Sequence, residues 1–142
     1  STDGSQLAAY RATLAHPDEY VILPEVISKE PLGPMVRKGD DKWFDLVRWS
    51  FYAQVAAEEL GVGSGDVEKK RADPSPDIRR LLGAEGDLGR QLGVAPDWAF
   101  QVIRQVGNYG EMFERDLGAL GLPRGLNKLW TKGGLQYAPP LR

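Results

Sequence analysis

From Asp40 or Asp41 to Leu60 the chain runs without a glycine or proline, and Gly61 follows at once. Acidic residues open the stretch where a helix is electrically positive, and glycine closes it where a helix ends, so the pattern predicts one long helix. Placed on a helical wheel, Asp45, Arg48 and Glu59 fall within an arc of about 60°. Trp43, Phe44, Leu46, Val47, Trp49, Phe51, Val55 and Leu60 spread over most of the rest. A helix apolar around so much of its circumference must be covered on several sides by other elements. It is expected to be the core of the fold. With 142 residues, 42% of them hydrophobic and 27% charged, the chain can bury one such core but not two full domains.

The remaining elements follow from local pattern. Leu7, Tyr10 and Leu14 share one face of a short helix over Gln6–Leu14, with Asp3 or Ser5 as its N-cap. Tyr20–Leu23 is apolar, rich in β-branched residues and closed by Pro24, which predicts a buried strand. Ser28–Leu32 is polar and holds Pro31, which reads as a stiff extended connector. A short strand over Gly33–Gly39 follows, ending in a turn. Gly61–Asp73, with Lys69-Lys70-Arg71, reads as a flexible, solvated loop. Ser75 and Pro76 start a short helix that stops at Gly83, and a second runs from Asp87 to Leu92. Pro96 opens a longer helix to about Leu117, in which Gly107 and Gly110 predict a kink or a close helix contact. The tail from Leu126 is expected to lie extended over the core.

Composition removes several function classes. Eighteen basic and twenty acidic side chains leave a net charge of −2 and no basic block, so nothing attracts nucleic acid or an anionic membrane. Cysteine is absent, which excludes disulfides, thiolate nucleophiles and cysteine-held zinc. His16 is the only histidine and sits before a proline, so a two-histidine metal site is impossible and a surface role is expected. The adjacent carboxylates Asp40-Asp41 and Glu58-Glu59 point about 100° apart on a helix, which suits capping and solvation rather than acid–base work. Gly83–Gly89 lacks the lysine of a phosphate loop and reads as a helix–helix connection. Core packing accounts for the four tryptophans, 43, 49, 98 and 130. No metal or cofactor is therefore expected, and no catalytic residue is assigned.

Two stretches are more specific. One is Ile27-Ser28-Lys29-Glu30-Pro31-Leu32-Gly33-Pro34-Met35-Val36-Arg37-Lys38-Gly39-Asp40-Asp41-Lys42-Trp43-Phe44. The other is Gln105-Val106-Gly107-Asn108-Tyr109-Gly110-Glu111 together with Gly125-Leu126-Asn127-Lys128-Leu129-Trp130-Thr131-Lys132-Gly133-Gly134-Leu135. Both resemble the general L-amino-acid-binding proteins of Gram-negative ABC importers, over nearly the whole chain but only the last two-fifths or so of that family's length. The fold class implied is α/β, a type II periplasmic-binding-protein fold seen as its C-terminal fragment, helix-rich with a few short strands. Residues 1–27 would end the smaller lobe, 28–32 form the second hinge strand, and 33–142 complete the larger lobe.

The resemblance also implies a site. In that family an aspartate, followed four residues later by an aliphatic residue, binds the α-ammonium of the amino acid; the matching pair here is Asp3 and Leu7. Asp3 read by itself is a helix cap, and one side chain can do both. The arginine that clamps the ligand carboxylate has no counterpart here, so this piece alone is expected to bind amino acids weakly or not at all. The partners implied are an L-amino acid, an inner-membrane ABC permease and the missing N-terminal part. A periplasmic location follows from the resemblance, with a signal peptide expected upstream. Exposed apolar surface predicts self-association, swapping of the 1–32 segment, or loose packing. Two other function classes fit the residues alone: a stand-alone helical protein-interaction module, and a small carboxylate-based hydrolase with a raised pKa in a cleft.

Overall fold

The computed structural model describes residues 2–28 and 31–141. Its helices are α1 (Gly4–Ala12), α2 (Asp41–Glu59), α3 (Val67–Lys70), α4 (Pro76–Leu81), α5 (Leu88–Gln91), α6 (Trp98–Val106) and α7 (Tyr109–Asp116). Four single 3₁₀ turns lie between and after them, at Pro17–Glu19, Gly118–Leu120, Gly125–Asn127 and Trp130–Lys132. Among the described residues no strand forms, and β pairing is limited to one parallel bridge between Leu129 and Gln136.

The long helix is the centre of the fold, though only along its second half. Asp40 caps it, its carboxylate accepting the Trp43 N–H at 3.2 Å. Residues Ala53–Ala57 are buried, and three of these five are alanines, whose small side chains let α4, α6 and α7 approach α2 closely. On one side Ala53 and Ala57 pack with Val62, Ile78, Leu82, Phe100 and Ile103. On the other, Val55 and Ala56 meet Leu129 and Ala138 from the tail. Trp43 and Phe44, in the first turn, are exposed. The wheel showed apolar residues all round and could not show that the cover ends half-way along.

Two expected strands are corrected. Tyr20–Leu23 and Gly33–Gly39 form no strand, and Val21, Leu23 and Met35 are exposed rather than buried. A strand exists only by hydrogen bonding to a second one. Among the described residues, Val21–Ser28 and Pro31–Val36 make no backbone hydrogen bond. The sequence holds strand-forming residues, and the described residues hold no partner for them.

The helix expected from Pro96 to Leu117 is two helices. Gly107 takes φ +97°, which ends α6, and Asn108 restarts the chain as the N-cap of α7. Gly110 is the expected close contact: a Cβ there would lie 3.1 Å from the Glu58 carboxyl carbon. The stretch 61–73 is also no loose loop. It contains α3, its Val62 and Val67 are fully buried, and the Asp66 carboxylate accepts the Gly63 N–H at 2.8 Å. Of the tryptophans only Trp98 is buried; Trp49 is half-buried against the core, and Trp43 and Trp130 are exposed. Trp130 instead donates its indole N–H to Glu59 at 2.6 Å and stacks edge-on with Tyr137. His16 is exposed.

Candidate functional site

α1 starts where an aspartate can cap it. Asp3 has extended backbone angles, and its Oδ1 accepts the Gln6 N–H at 3.1 Å and the Ser5 hydroxyl at 2.6 Å. The Ser5 hydroxyl first, then the Gln6 N–H, hold the Asp3 carboxyl below the usual carboxylate range, so it is ionised at neutral pH. Among the described residues Oδ2 has no hydrogen-bond partner, and no cation pairs with the carboxylate. The helix start uses only Oδ1 among the described residues. Leu7 follows one turn later, half-buried, and the buried Ala8 beside it anchors the helix. Among the described residues no group of three histidine, cysteine or carboxylate side chains is placed to hold a metal.

The other polar clusters serve the architecture. Glu58 on α2 and Arg124, only 10% and 14% exposed, form a two-pronged ion pair at 2.5 and 2.9 Å. The guanidinium also donates to the Asn127 carbonyl and lies over the rings of Tyr109 and Phe113. Gln54, buried in the alanine-rich part of α2, donates to the Gly107 carbonyl at 3.3 Å and so holds the break between α6 and α7. Glu111 closes the capping box with Asn108: its Oε2 accepts the Asn108 N–H while Asn108 Oδ1 accepts the Glu111 N–H. It also accepts the Ser64 N–H and hydroxyl. The capping box was legible as Asn-x-x-Glu. The Glu58–Arg124 pair, 66 residues apart, had no local signal.

Glu111 has a measurable consequence. Burial alone would push its pKa up, but the Asn108 N–H and the Ser64 hydroxyl and N–H outweigh burial and hold it below the usual glutamate range. A carboxylate depressed in the folded state contributes stability at pH values above its unfolded pKa, and loses it as pH falls through the folded one. The urea midpoint of the natural chain is therefore expected to drop more steeply than that of Glu111→Gln as pH falls below about 4.5. Parallel curves would contradict this.

A third feature is apolar and open. Leu32, Pro34 and Val36 lie across from Phe44, Val47, Phe51 and Tyr52 of α2 around a cavity of about 280 Å³. Val26, Ile27, Leu32 and Met35 are exposed along the same stretch of chain. A second, smaller cavity of about 110 Å³ lies between Trp49, Leu92, Trp98 and Leu141. Asp3 lines neither.

No model of a protein family matches the chain. Individual proteins do. The general L-amino acid-binding periplasmic protein of Rhizobium johnstonii is 56% identical over 147 aligned residues, which take in 100% of this chain and 43% of that protein. The glutamate/glutamine/aspartate/asparagine-binding protein of Rhodobacter capsulatus is 57% identical over 146 residues with the same coverage. Over its whole length this chain is therefore similar to part of such amino-acid-binding periplasmic proteins, and it spans about two-fifths of their length. A solved ABC transporter periplasmic binding protein from Brucella ovis, with glutathione bound, matches with a TM-score of 0.95 and 52% identity over 99% of this chain. The chain therefore has the fold of part of a periplasmic binding protein, and it spans 46% of the Brucella chain. The members named here are binding proteins, and none is named as an enzyme.

Proposed function

We propose that this chain is the C-terminal part of a periplasmic amino-acid-binding protein that delivers its ligand to an ABC permease. What carries the reading is identity of 53–57% over the full chain to proteins named for amino-acid binding. In this reading residues 1–27 end the smaller lobe of a type II fold, 28–32 form the second hinge strand and 33–142 complete the larger lobe. Lys29 and Glu30 of that hinge lie outside the described residues. A signal peptide and the opposite wall of the cleft precede Ser1 in the whole protein, which works in the periplasm. The ligand closes the hinge because only the closed form lets both lobes touch it.

Asp3 is the residue assigned to the ligand. Its ionised carboxylate, with Oδ2 open, suits the α-ammonium of an amino acid, whose charge-assisted N–H···O⁻ bonds are the strong ones. Glutathione, bound by the Brucella protein, presents the same group: its glutamyl residue is joined through the side chain and keeps a free α-ammonium and α-carboxylate. A site that grips the amino-acid head therefore accepts both free amino acids and γ-glutamyl peptides. The smaller helical-module reading has no comparable support.

Calorimetry tests this. The complete gene product is expected to bind glutamate or glutamine, and Asp3→Asn in that product to weaken binding at least tenfold, since hydrogen bonds to charged groups are worth about 1.5–3 kcal/mol. The 142-residue chain by itself is expected to show no measurable binding. Micromolar binding by the short chain, unaffected by Asp3→Asn, would overturn the proposal.

A further inference from the structure

Two donors of α1 meet on one oxygen of Asp3. The Gln6 N–H reaches Oδ1 at 3.1 Å, and this contact is the cap that the helix start needs. The Ser5 hydroxyl donates to the same oxygen at 2.6 Å, and among the described residues it has no other acceptor. Capping does not call for this second bond, since the amide already supplies it. A carboxylate oxygen offers about two lone pairs. With Ser5 and Gln6 both on Oδ1, groups of α1 itself take them, and an incoming N–H is turned toward Oδ2. The carboxylate is also tied at two points, one of them a backbone amide fixed by the helix. Ser5 is half-buried, so its hydroxyl is held at the helix start rather than swinging freely in water.

We propose that Ser5 is a positioning residue for the amino-acid site: its hydroxyl fixes the Asp3 carboxylate so that the α-ammonium meets one oxygen from one direction. This role rests on the reading of Asp3 as the group that takes the α-ammonium, and it adds which side chain aims that group. Ser5 acts through Asp3 and is assigned no contact with the ligand. Without the hydroxyl the Gln6 amide still caps α1, so the helix keeps its start and the charged group loses its fixed aim. A pre-aimed acceptor binds more tightly because less freedom is left to lose on binding. The same two donors, Ser5 first and Gln6 after it, hold the carboxyl below its ordinary range. Among the described residues no cation pairs with Asp3, and the turn Gly118–Leu120 packed against α1 carries no charge, so the titration of Asp3 reports on these donors.

Calorimetry with glutamate and glutamine, and NMR titration of the Asp3 carboxyl, test it on the complete gene product. Ser5→Ala is expected to weaken binding at least threefold, the size of one ordinary hydrogen bond. Ser5→Thr keeps a hydroxyl and is expected to restore it. In the ligand-free protein the Asp3 carboxyl is expected to titrate higher in Ser5→Ala than in the natural chain, and Ser5→Thr to bring it back. Unchanged affinity in Ser5→Ala overturns the proposal, as does a loss that Ser5→Thr leaves in place or an Asp3 titration that Ser5→Ala does not move. An unfolding midpoint that falls in Ser5→Ala as far as in Asp3→Ala makes Ser5 part of the cap alone and overturns it too. The two readings fail separately. Asp3→Asn without effect on binding removes the site, whereas Asp3→Asn that weakens binding beside Ser5→Ala that does not removes only the role of Ser5.

Discussion

Replacing Glu58 by alanine is expected to lower the stability of this chain by about 3 kcal/mol, the cost of leaving one partner of a largely enclosed ion pair alone. The size follows from enclosure. Glu58 and Arg124 are 10% and 14% exposed, and the guanidinium lies over Tyr109 and Phe113, where little water can reach to replace the lost carboxylate. Arg124 already has its Nε buried without a partner. Exposed pairs in the same chain, such as Arg48–Asp45 on α2, are expected to contribute about 0–1 kcal/mol when cut. Urea denaturation of both single variants makes the comparison. The double variant Glu58→Met/Arg124→Met is expected to recover most of the loss, because removing both charges leaves nothing to solvate. A Glu58→Ala loss no larger than that of Asp45→Ala would mean that water reaches the pair.

Gly83→Ala is the second large effect. Gly83 ends α4 at φ +70°, a conformation that costs a side chain about 1–2 kcal/mol. A Cβ there would also stand 2.1 Å from the Pro96 carbonyl oxygen, backbone that cannot swing aside. Overpacking of that kind adds about 1–3 kcal/mol. Gly93 provides the control, since it has nearly the same φ, +72°, and nothing within 4 Å of an added Cβ. Gly93→Ala is expected to lose only the conformational part, and Gly83→Ala clearly more. Equal losses in thermal unfolding would show that α4 and the Pro96 turn separate easily.

The helix boundaries were the most legible part of the fold. Asp40, Ser75-Pro76, Gly83 and Gly93 mark ends that the structure confirms, because caps and stops act on their own backbone within a turn. The break at Gly107–Asn108 was half legible. Two glycines signal a disturbance, and the Asn108–Glu111 box turns it into a new helix start. Burial is less legible. Val21, Leu23, Trp43 and Phe44 are residues that cores favour, yet here they face outward. Composition records what a side chain prefers and not whether anything covers it. For the candidate site, Asp3 was legible as a cap, and the geometry adds that capping uses only Oδ1.

By itself the sequence determined most helix ends and the resemblance, though neither α3 nor the restart at Asn108, since caps and stops rest on local backbone chemistry and the resemblance on residue identity along the chain. Tertiary structure alone decided that α2 is enclosed only from Ala53 onward, that Glu58 meets Arg124 across 66 residues, and that, among the described residues, Val21–Ser28 and Pro31–Val36 make no backbone hydrogen bond. The reason is that burial and strand pairing are relations between distant segments. Their energy belongs to the contact, and neither side carries a mark of it alone.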